Sequence, residues 1–481
     1  MVRLWRRDTL DPEYVDDHRR KLHLAIIQDS VSHNEMPPDA YFTGGLRKML
    51  ILPDASLNST KRWYSLIVLT LVYALNQADR FIMSTLTEPI KHDLNLSDAG
   101  IGFLSGVSLA IFYGIAGLWI AVLADRSNRR NIVVASLAIW SALTALSGVA
   151  SNFTQLVLVR TGVGIGEAGG TAPSHSMVAD LFPARSRPRA LAIYGIGVSL
   201  GVAMASFGGR LSESIGWRHV FFILGVPGIL LAVLIWFTVP EPRRGRLDSI
   251  KHSNKASLLD TLRYSFAQPF LRHQLWASFV YCLASWGFIW WLPAFLQRSH
   301  GMSTGEAGTF LGVLNGIGGT AGLIASVWLM RVLEKRDPAW VARVAAILVT
   351  TAMIPAVIAL CVSSTLVTEI CLWITIPIIY SLYGPTFALL QNATPVMMRT
   401  QISAISLLII NIANLVVAPL GVGWTSDLLA TAYGTESLRI AMIPFTAVGF
   451  WGAYHYWISA KTLGAAMINA GTCDIAEPIA I

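Results

Sequence analysis

At 481 residues, 54% of them hydrophobic and only 13% charged, with a mean hydropathy of +0.56, the chain lies far from the balance of a soluble domain and reads as a polytopic membrane protein. Its net charge of +8 does not point to nucleic acid, because the basic residues sit in short clusters between apolar segments, where cytoplasmic loops keep them. Four cysteines (Cys282, Cys361, Cys371, Cys473) show no CxxC or CxxxH spacing, so neither a disulfide framework nor a metal site is expected, and no cofactor.

The chain opens on residues 1–60, too charged and without the uninterrupted apolar core of a signal peptide. The expectation is a loosely ordered cytosolic extension, with Met49 a natural start just ahead of the first apolar run. Runs of roughly 20 apolar residues, enough to cross about 30 Å of hydrocarbon, begin near Trp63, Ala99, Ile132, Phe153, Ala190, Val220, Gln274, Ala307, Val341, Val367, Ser403 and Ala441. These twelve spans predict an all-α membrane fold. The longest internal polar segment, within 239–271, divides an N-terminal six-helix bundle (61–238) from a C-terminal one (272–460), followed by a tail (461–481). Lys and Arg collect in alternate loops, around Arg126, Arg185, Arg243, Lys335 and Arg399, while the other loops hold little beyond Lys91 and Arg298. That asymmetry places both termini in the cytoplasm of a multi-pass protein of the cell (inner) membrane.

The two halves carry a trace of repetition. "GIAGLWIAVLADR" (114–126) and "GTAGLIASVWLMR" (319–331) share Gly114/Gly319, Ala116/Ala321, Gly117/Gly322, Leu118/Leu323 and Arg126/Arg331 at a constant offset of 205. Both end the second span of their half, the pattern of a parallel repeat. A GxGxxG match at Gly164, Gly166 and Gly169 follows no predicted strand and lies inside a span, so close helix packing explains it better than a dinucleotide.

The loop "LADRSNRR" (123–130), the run Arg160, Gly164, Gly166 and the glycine-rich "GVAMASFGG" (201–209) together resemble the signatures of the major facilitator superfamily. The departures are Ala121 and Asn128, where that family has glycine. "ADRFIM", "GEAGGTAPSHSMVADLFP" and "GWRHVFFILGVPGILLA" resemble its spinster-like branch. The resemblance covers about residues 62–460 and implies two six-helix bundles around a central cavity that opens alternately to either side. It also implies an inner-gate network at Asp125, Arg126, Arg129 and Arg130, with Asp180 and Arg185 as partners. In the C-terminal copy Met330 stands where the first has Asp125, so such a gate is asymmetric.

Asp79, Arg160 and Glu167 lie within apolar spans, where an unpaired charge costs several kcal/mol. Arg160 and Glu167 are seven apart, so they share a helix face about 10 Å apart in depth, and Asp79 on the first span is matched in depth to Arg160. Asp79, Arg160 and Glu167 are the expected proton and substrate coupling set, the two acids competing for one arginine; the bland alternative is a fixed ion pair. Arg80 points about 100° away from Asp79 and is not assigned to the cavity. Expected cavity-lining residues are Asn76, Tyr194, Tyr281, Trp286, Trp290, Asn315, Tyr383 and Asn411. Aromatic and amide groups beside an ionic wall suit a ligand with an apolar body and a polar or anionic head.

The sequence reading is therefore a monomeric, proton-coupled secondary transporter. Its partners would be a small-molecule or lipid-like amphiphilic substrate, protons and membrane lipids, and no nucleic acid. An uncoupled facilitator or lipid-moving protein of the same fold is the alternative. An enzyme is poorly supported, since the histidines form no HExxH and no span carries a nucleophile with a recognisable partner, and no P-loop suggests an ATP-driven pump.

Overall fold

The structure, a computed structural model, describes residues 59–183, 186–242, 257–333 and 339–469. Among them the chain is helical, without strands. The N-terminal part comprises α1 (Ser59–Thr85), α2 (Thr87–Leu94), α3 (Asp98–Gly102), α4 (Ser108–Arg126), α5 (Arg129–Ser147), α6 (Phe153–Glu167), α7 (Thr171–Leu181), α8 (Arg187–Ile215) and α9 (Trp217–Thr238). After the connector helix α10 (Leu258–Ala267) come α11 (Pro269–His300), α12 (Thr304–Val313), α13 (Thr320–Leu333), α14 (Ala339–Cys361), α15 (Thr365–Ser381), α16 (Tyr383–Asn392), α17 (Arg399–Asn411), α18 (Ala418–Tyr433), α19 (Ser437–Ala447) and α20 (Gly449–Asn469). The pairs α3–α4, α6–α7, α12–α13, α15–α16, α17–α18 and α19–α20 each form one passage, and α1, α5, α8, α9, α11 and α14 are passages by themselves. That makes the twelve-helix membrane fold.

Among the described residues eight helical runs are long and apolar enough to cross a membrane, one of them, Gln401–Met467, holding two passages; Asp98–Gly114 and Thr365–Ser381 are shorter apolar helices. The fourth passage escapes that criterion because it breaks after Glu167 and carries buried charge. Wide π-type turns interrupt three passages, at Phe103–Val107, Leu314–Gly319 and Ile412–Val417. Such turns free backbone groups within a helix and gather at functional regions.

Side-chain placement is that of a protein in lipid. Large apolar groups such as Trp119, Leu158 and Phe237 face outward, while Asn76, Asp79, Arg160 and Glu167 are buried. The two parts of the bundle approach closely where glycines meet backbone. A Cβ on Gly106 of the second passage would come within 1.8 Å of the Leu415 carbonyl oxygen in the eleventh, and one on Gly308 of the eighth within 2.4 Å of the Ser206 carbonyl oxygen in the fifth. Second against eleventh and eighth against fifth are equivalent crossings in a parallel repeat.

The end where α1 begins is the end of the basic loops, and the opposite end is distal. At the distal end Arg298 of α11 donates to Glu88 of α2 at 2.8 Å and to both carboxylate oxygens of Asp98 at 2.7 Å. Asp427 of α18 accepts from the Asp98 and Ala99 amides at 2.9 and 2.8 Å, satisfying donors that the start of α3 leaves open. Glu213 of α8 accepts from the Gly305 amide at the start of α12 at 2.7 Å. These contacts join the two parts of the chain at this end. The distal helix ends also hold cations beyond Lys91 and Arg298: Arg210, Arg218 and Arg439 pair with Glu213, Asp93 and Glu436. Acids neutralise them, so the charge asymmetry between the ends rests on pairing as well as on count.

Candidate functional site

Asp79, three-quarters of the way along α1, lies between α5 and α6. Arg160 donates from Nη1 to Asp79 Oδ1 at 2.8 Å and from Nη2 to the Asp79 carbonyl at 3.0 Å, and Thr144 Oγ1 donates to Oδ2 at 2.5 Å. Arg160 is 0% exposed and Asp79 3%. Both carboxylate oxygens are answered, which is what offsets the large desolvation cost of a buried pair.

Glu167 does not reach Arg160 in this arrangement. Its Oε2 accepts from Arg80 Nε at 2.6 Å, and the Arg80 Cζ sits over the Tyr113 ring, 4.6 Å from its centroid. Arg80, which sequence reasoning leaves outside the cavity, is therefore half of a second ion pair. The reach has a geometric cause: helical side chains lean toward their helix N-terminus, and for α1 that is the basic end, where Glu167 lies one storey below Arg160. Asp79 and Arg160 remain within electrostatic reach of Glu167.

The two pairs differ in satisfaction. Arg80 Nη2 and Glu167 Oε1 are buried with no hydrogen-bond partner, as are both amide atoms of Asn76. An unanswered buried polar atom costs about 1–3 kcal/mol; the Asp79–Arg160 pair answers both carboxylate oxygens and leaves only Arg160 Nε, whereas the Arg80–Glu167 pair leaves an atom on each partner. Asn76 lies one turn from Arg80 on α1, and Tyr73 a further turn back, so the three share a face. Tyr73 stacks on Tyr194 of α8, centroids 4.7 Å apart and 6° between planes. His175 of α7, exposed, meets Tyr194 edge-on at 4.9 Å.

The remaining expected lining residues fall into two groups. Trp286 and Trp290 pack on Phe81 of α1 at 5.3 and 5.0 Å, covering the distal side, and Ser84 donates to the Trp290 carbonyl there. Asn315 lines a void of about 10 Å³ beside Phe81 and Ser84, room for about one water. Its amide is spoken for, donating to the Leu311 carbonyl at 2.8 Å and accepting from Tyr380 at 3.1 Å. Tyr281 donates to the Ile379 carbonyl at 2.6 Å and is a core contact. Asn411 is half-buried at the end of α17. The side chain of Tyr383 lies outside the described residues.

At the basic end Arg129 donates to Asp180 of α7, to Glu241 at 2.8 Å and to the Pro242 carbonyl at 2.7 Å. The Arg130 amide donates to Glu241 Oε2 at 2.7 Å. Glu241, in the segment after α9, is a network member that sequence reasoning missed; the run "VPEPRRGR" reads as a basic linker, and its acid carries no periodic signal. Arg130 bonds Asn131 and lies 5.6 Å over Trp236, and Arg126 is exposed. These bonds stay within the N-terminal part. The side chain of Asp125, and Arg185 altogether, lie outside the described residues.

A twelve-passage bundle with buried charge on its central helices, crossed by glycine contacts at equivalent passages, is a membrane transporter architecture. The sequence pattern of the Major Facilitator Superfamily matches residues 69–418, and the chain belongs to that superfamily. An MFS-type efflux pump of Mycolicibacterium smegmatis is 33% identical over 402 residues, 83% of this chain and 92% of its own length. A probable galactarate/D-glucarate transporter of Bacillus subtilis is 29% identical over 310 residues, 59% of this chain and 67% of its own. The solved structure of a bacterial homologue of the human lysosomal transporter Spinster, inward-facing and unoccupied, shares the fold at a TM-score of 0.74 and 26% identity, covering 85% of this chain and 99% of its own. The chain is thus a Major Facilitator Superfamily protein similar in fold to the Spinster homologue, and the relatives named here are transporters and an efflux pump rather than enzymes.

Proposed function

We propose that the protein is a proton-coupled secondary transporter that moves an amphiphilic organic or lipid-like solute by alternating access, as a monomer in the cell (inner) membrane with both termini cytoplasmic. The parts 61–238 and 272–460 would be the two bodies that rock, joined by 239–271, with the Arg129–Asp180 network bracing the inner gate. One observation carries the reading: Glu167 is a 0% exposed carboxylate that answers Arg80 with one oxygen and nothing with the other. A proton on Glu167 would release Arg80, and a freed guanidinium has two alternatives, a substrate head group or the neighbouring acid. Such a group biases a two-state element through one protonation.

The one-to-one matching of Asp79 with Arg160 and of Glu167 with Arg80 favours a second reading, an uncoupled facilitator or lipid-moving protein held by fixed pairs. The two separate in sealed vesicles with an imposed pH gradient. Under coupling, Glu167→Gln abolishes gradient-driven accumulation and leaves downhill exchange. Accumulation with wild-type pH dependence in that variant would establish the pair as structural.

A further inference from the structure

Away from the central site, the seam between α11 and α20 carries two histidines in contact. His273 Nδ1 and His455 Nδ1 lie 2.8 Å apart, which requires one ring to donate and the other to accept. His455 Nε2 is buried without a partner. One residue further along α11 the seam is closed, since the fully buried Gln274 amide donates to the Thr386 carbonyl and accepts from Ser459, both at 3.2 Å. The rim beside the pair is aromatic. Trp451 and Tyr454 meet the His455 ring at 5.4 and 5.5 Å, Trp276 meets Trp451 at 6.3 Å, and all three are exposed on the outside of the bundle. Arg272, also exposed, is the cation that acts on His273.

The pair lies at head-group depth. The 32 residues of α11 make about 48 Å of helix against about 30 Å of hydrocarbon, so its ends stand in the polar layers. His273 is only about 6 Å along α11 from its basic end. Charge at this end is one-sided. Neither α11 nor α20 contains an acid, nor do α14, α16, α17 and α19, which pack against them. At the basic end these helices supply Arg272, Arg343, Arg399 and Lys461, and the connector α10 adds Arg263 and an exposed Asp260. The charges that act on the two rings are Arg272 and each other, and Tyr454 is the further titratable group in contact. A proton added to the pair leaves one hydrogen between the Nδ1 atoms and makes both Nε2 atoms donors. The charge so formed has no carboxylate partner among the described residues. We infer that this seam is a docking site for the phosphate of an anionic phospholipid in the leaflet at the basic end, held by Arg272 and the protonated histidine pair. Its glycerol and upper acyl carbons would lie on Trp276, Trp451 and Tyr454. A free phosphate would answer the charge alone, whereas a lipid answers the charge and covers the exposed rings. The site is on the perimeter of the C-terminal part and does not rest on the transport reading.

The test is mass spectrometry of the intact full chain, purified in detergent, with equal amounts of dioleoyl phosphatidylglycerol and dioleoyl phosphatidylcholine at about pH 6 and about pH 8. The two lipids share their chains and phosphodiester and differ in net charge. One phosphatidylglycerol should be held about tenfold more strongly than phosphatidylcholine at the lower pH, and this preference should fall severalfold at the higher. His455→Gln stays polar but takes up no proton, so its preference should no longer depend on pH, and His273→Phe serves as a second variant with the same expectation. Arg272→Gln should weaken the preference at both values. His92→Gln, at the distal end, should behave as the unaltered protein does, and millimolar inorganic phosphate should leave the lipid bound. Equal retention of the two lipids, or a pH-dependent preference that persists in both His455→Gln and His273→Phe, would overturn the inference. Displacement by inorganic phosphate would overturn it as well, making the seam a site for soluble anions.

Discussion

The buried charged cluster of α1 and α6 and the polar groups of the C-terminal wall beside it are answered differently. In the C-terminal wall Tyr281 is bonded to a carbonyl and Asn315 has both ends of its amide engaged, while Trp286 and Trp290 pack on a phenylalanine of α1 and only the Trp290 indole N–H is left unanswered among these four. In the N-terminal half Asn76, Arg80 and Glu167 are buried and incompletely answered. Residue types that look equally fit to line a cavity thus divide into a wall and a chemical surface. Neighbouring residues of α1 repeat the contrast: both carboxylate oxygens of Asp79 are answered, whereas Arg80 and its partner Glu167 each keep an unanswered atom. The lesson is that satisfaction, more than burial or polarity, separates groups that hold the protein from groups that can act on something else.

The largest expected effect breaks the Asp79–Arg160 pair. Arg160→Ala leaves the Asp79 carboxylate buried with Thr144 alone, and removing one member of a buried pair costs about 3–5 kcal/mol. Arg80→Ala should cost less, because Arg80 retains 12% exposure where Arg160 has none, so less burial is given up with it. Thermal unfolding of both variants in detergent should show a clear drop for Arg160→Ala and a small one for Arg80→Ala. The contrast between the two pairs does not survive if both variants melt together.

The next effect concerns the distal end. Arg298 ties Glu88 and Asp98 on one side of the interface to α11 on the other, and charge-assisted bonds of this kind contribute on the order of 1–3 kcal/mol each. Arg298→Ala should shift the population toward a state opened at that end, read as a longer distance between spin labels at the exposed positions Ser214 and Thr435. The basic-end network offers the internal control, because the Arg129 bonds to Asp180 and Glu241 lie within one half. Glu241→Gln should leave the distal label distance unchanged.

Much of this was legible in the sequence, and what was not has physical causes. The spans and their order follow from apolar length alone, and Asp79, Arg160 and Glu167 stand out because ionised groups in hydrocarbon need a reason. The pairing was not legible. The helical wheel puts adjacent residues 100° apart, which hides that a long arginine can lean back along α1 to reach a partner one storey away. Glu88 and Asp98 lie at helix starts and Asp427 inside α18, and no periodicity marks that Arg298 meets the first two across 210 and 200 residues or that Asp427 meets the Asp98 amide across 329. The π-type turns were equally silent, since "LNGIGG" reads as an ordinary glycine-rich helix until its backbone meets a neighbour.

The smallest expected effect tests whether the C-terminal wall is only a wall. Tyr281 is 3% exposed and its hydroxyl donates to the Ile379 carbonyl at 2.6 Å. Tyr281→Phe removes that hydroxyl and little volume, so the cost should be that of one buried hydrogen bond, about 1 kcal/mol, or a few degrees in melting temperature. Because the group already has its partner, the variant should bind and accumulate substrate as the unaltered protein does, with the same pH dependence. The opposite pattern is equally readable: unchanged melting with transport lost would mean that the hydroxyl leaves Ile379 during the cycle to meet the substrate. Tyr281 would then belong with Asn76 and Arg80, and the division between a chemical half and a supporting half would hold for one conformation of the protein and not for the cycle.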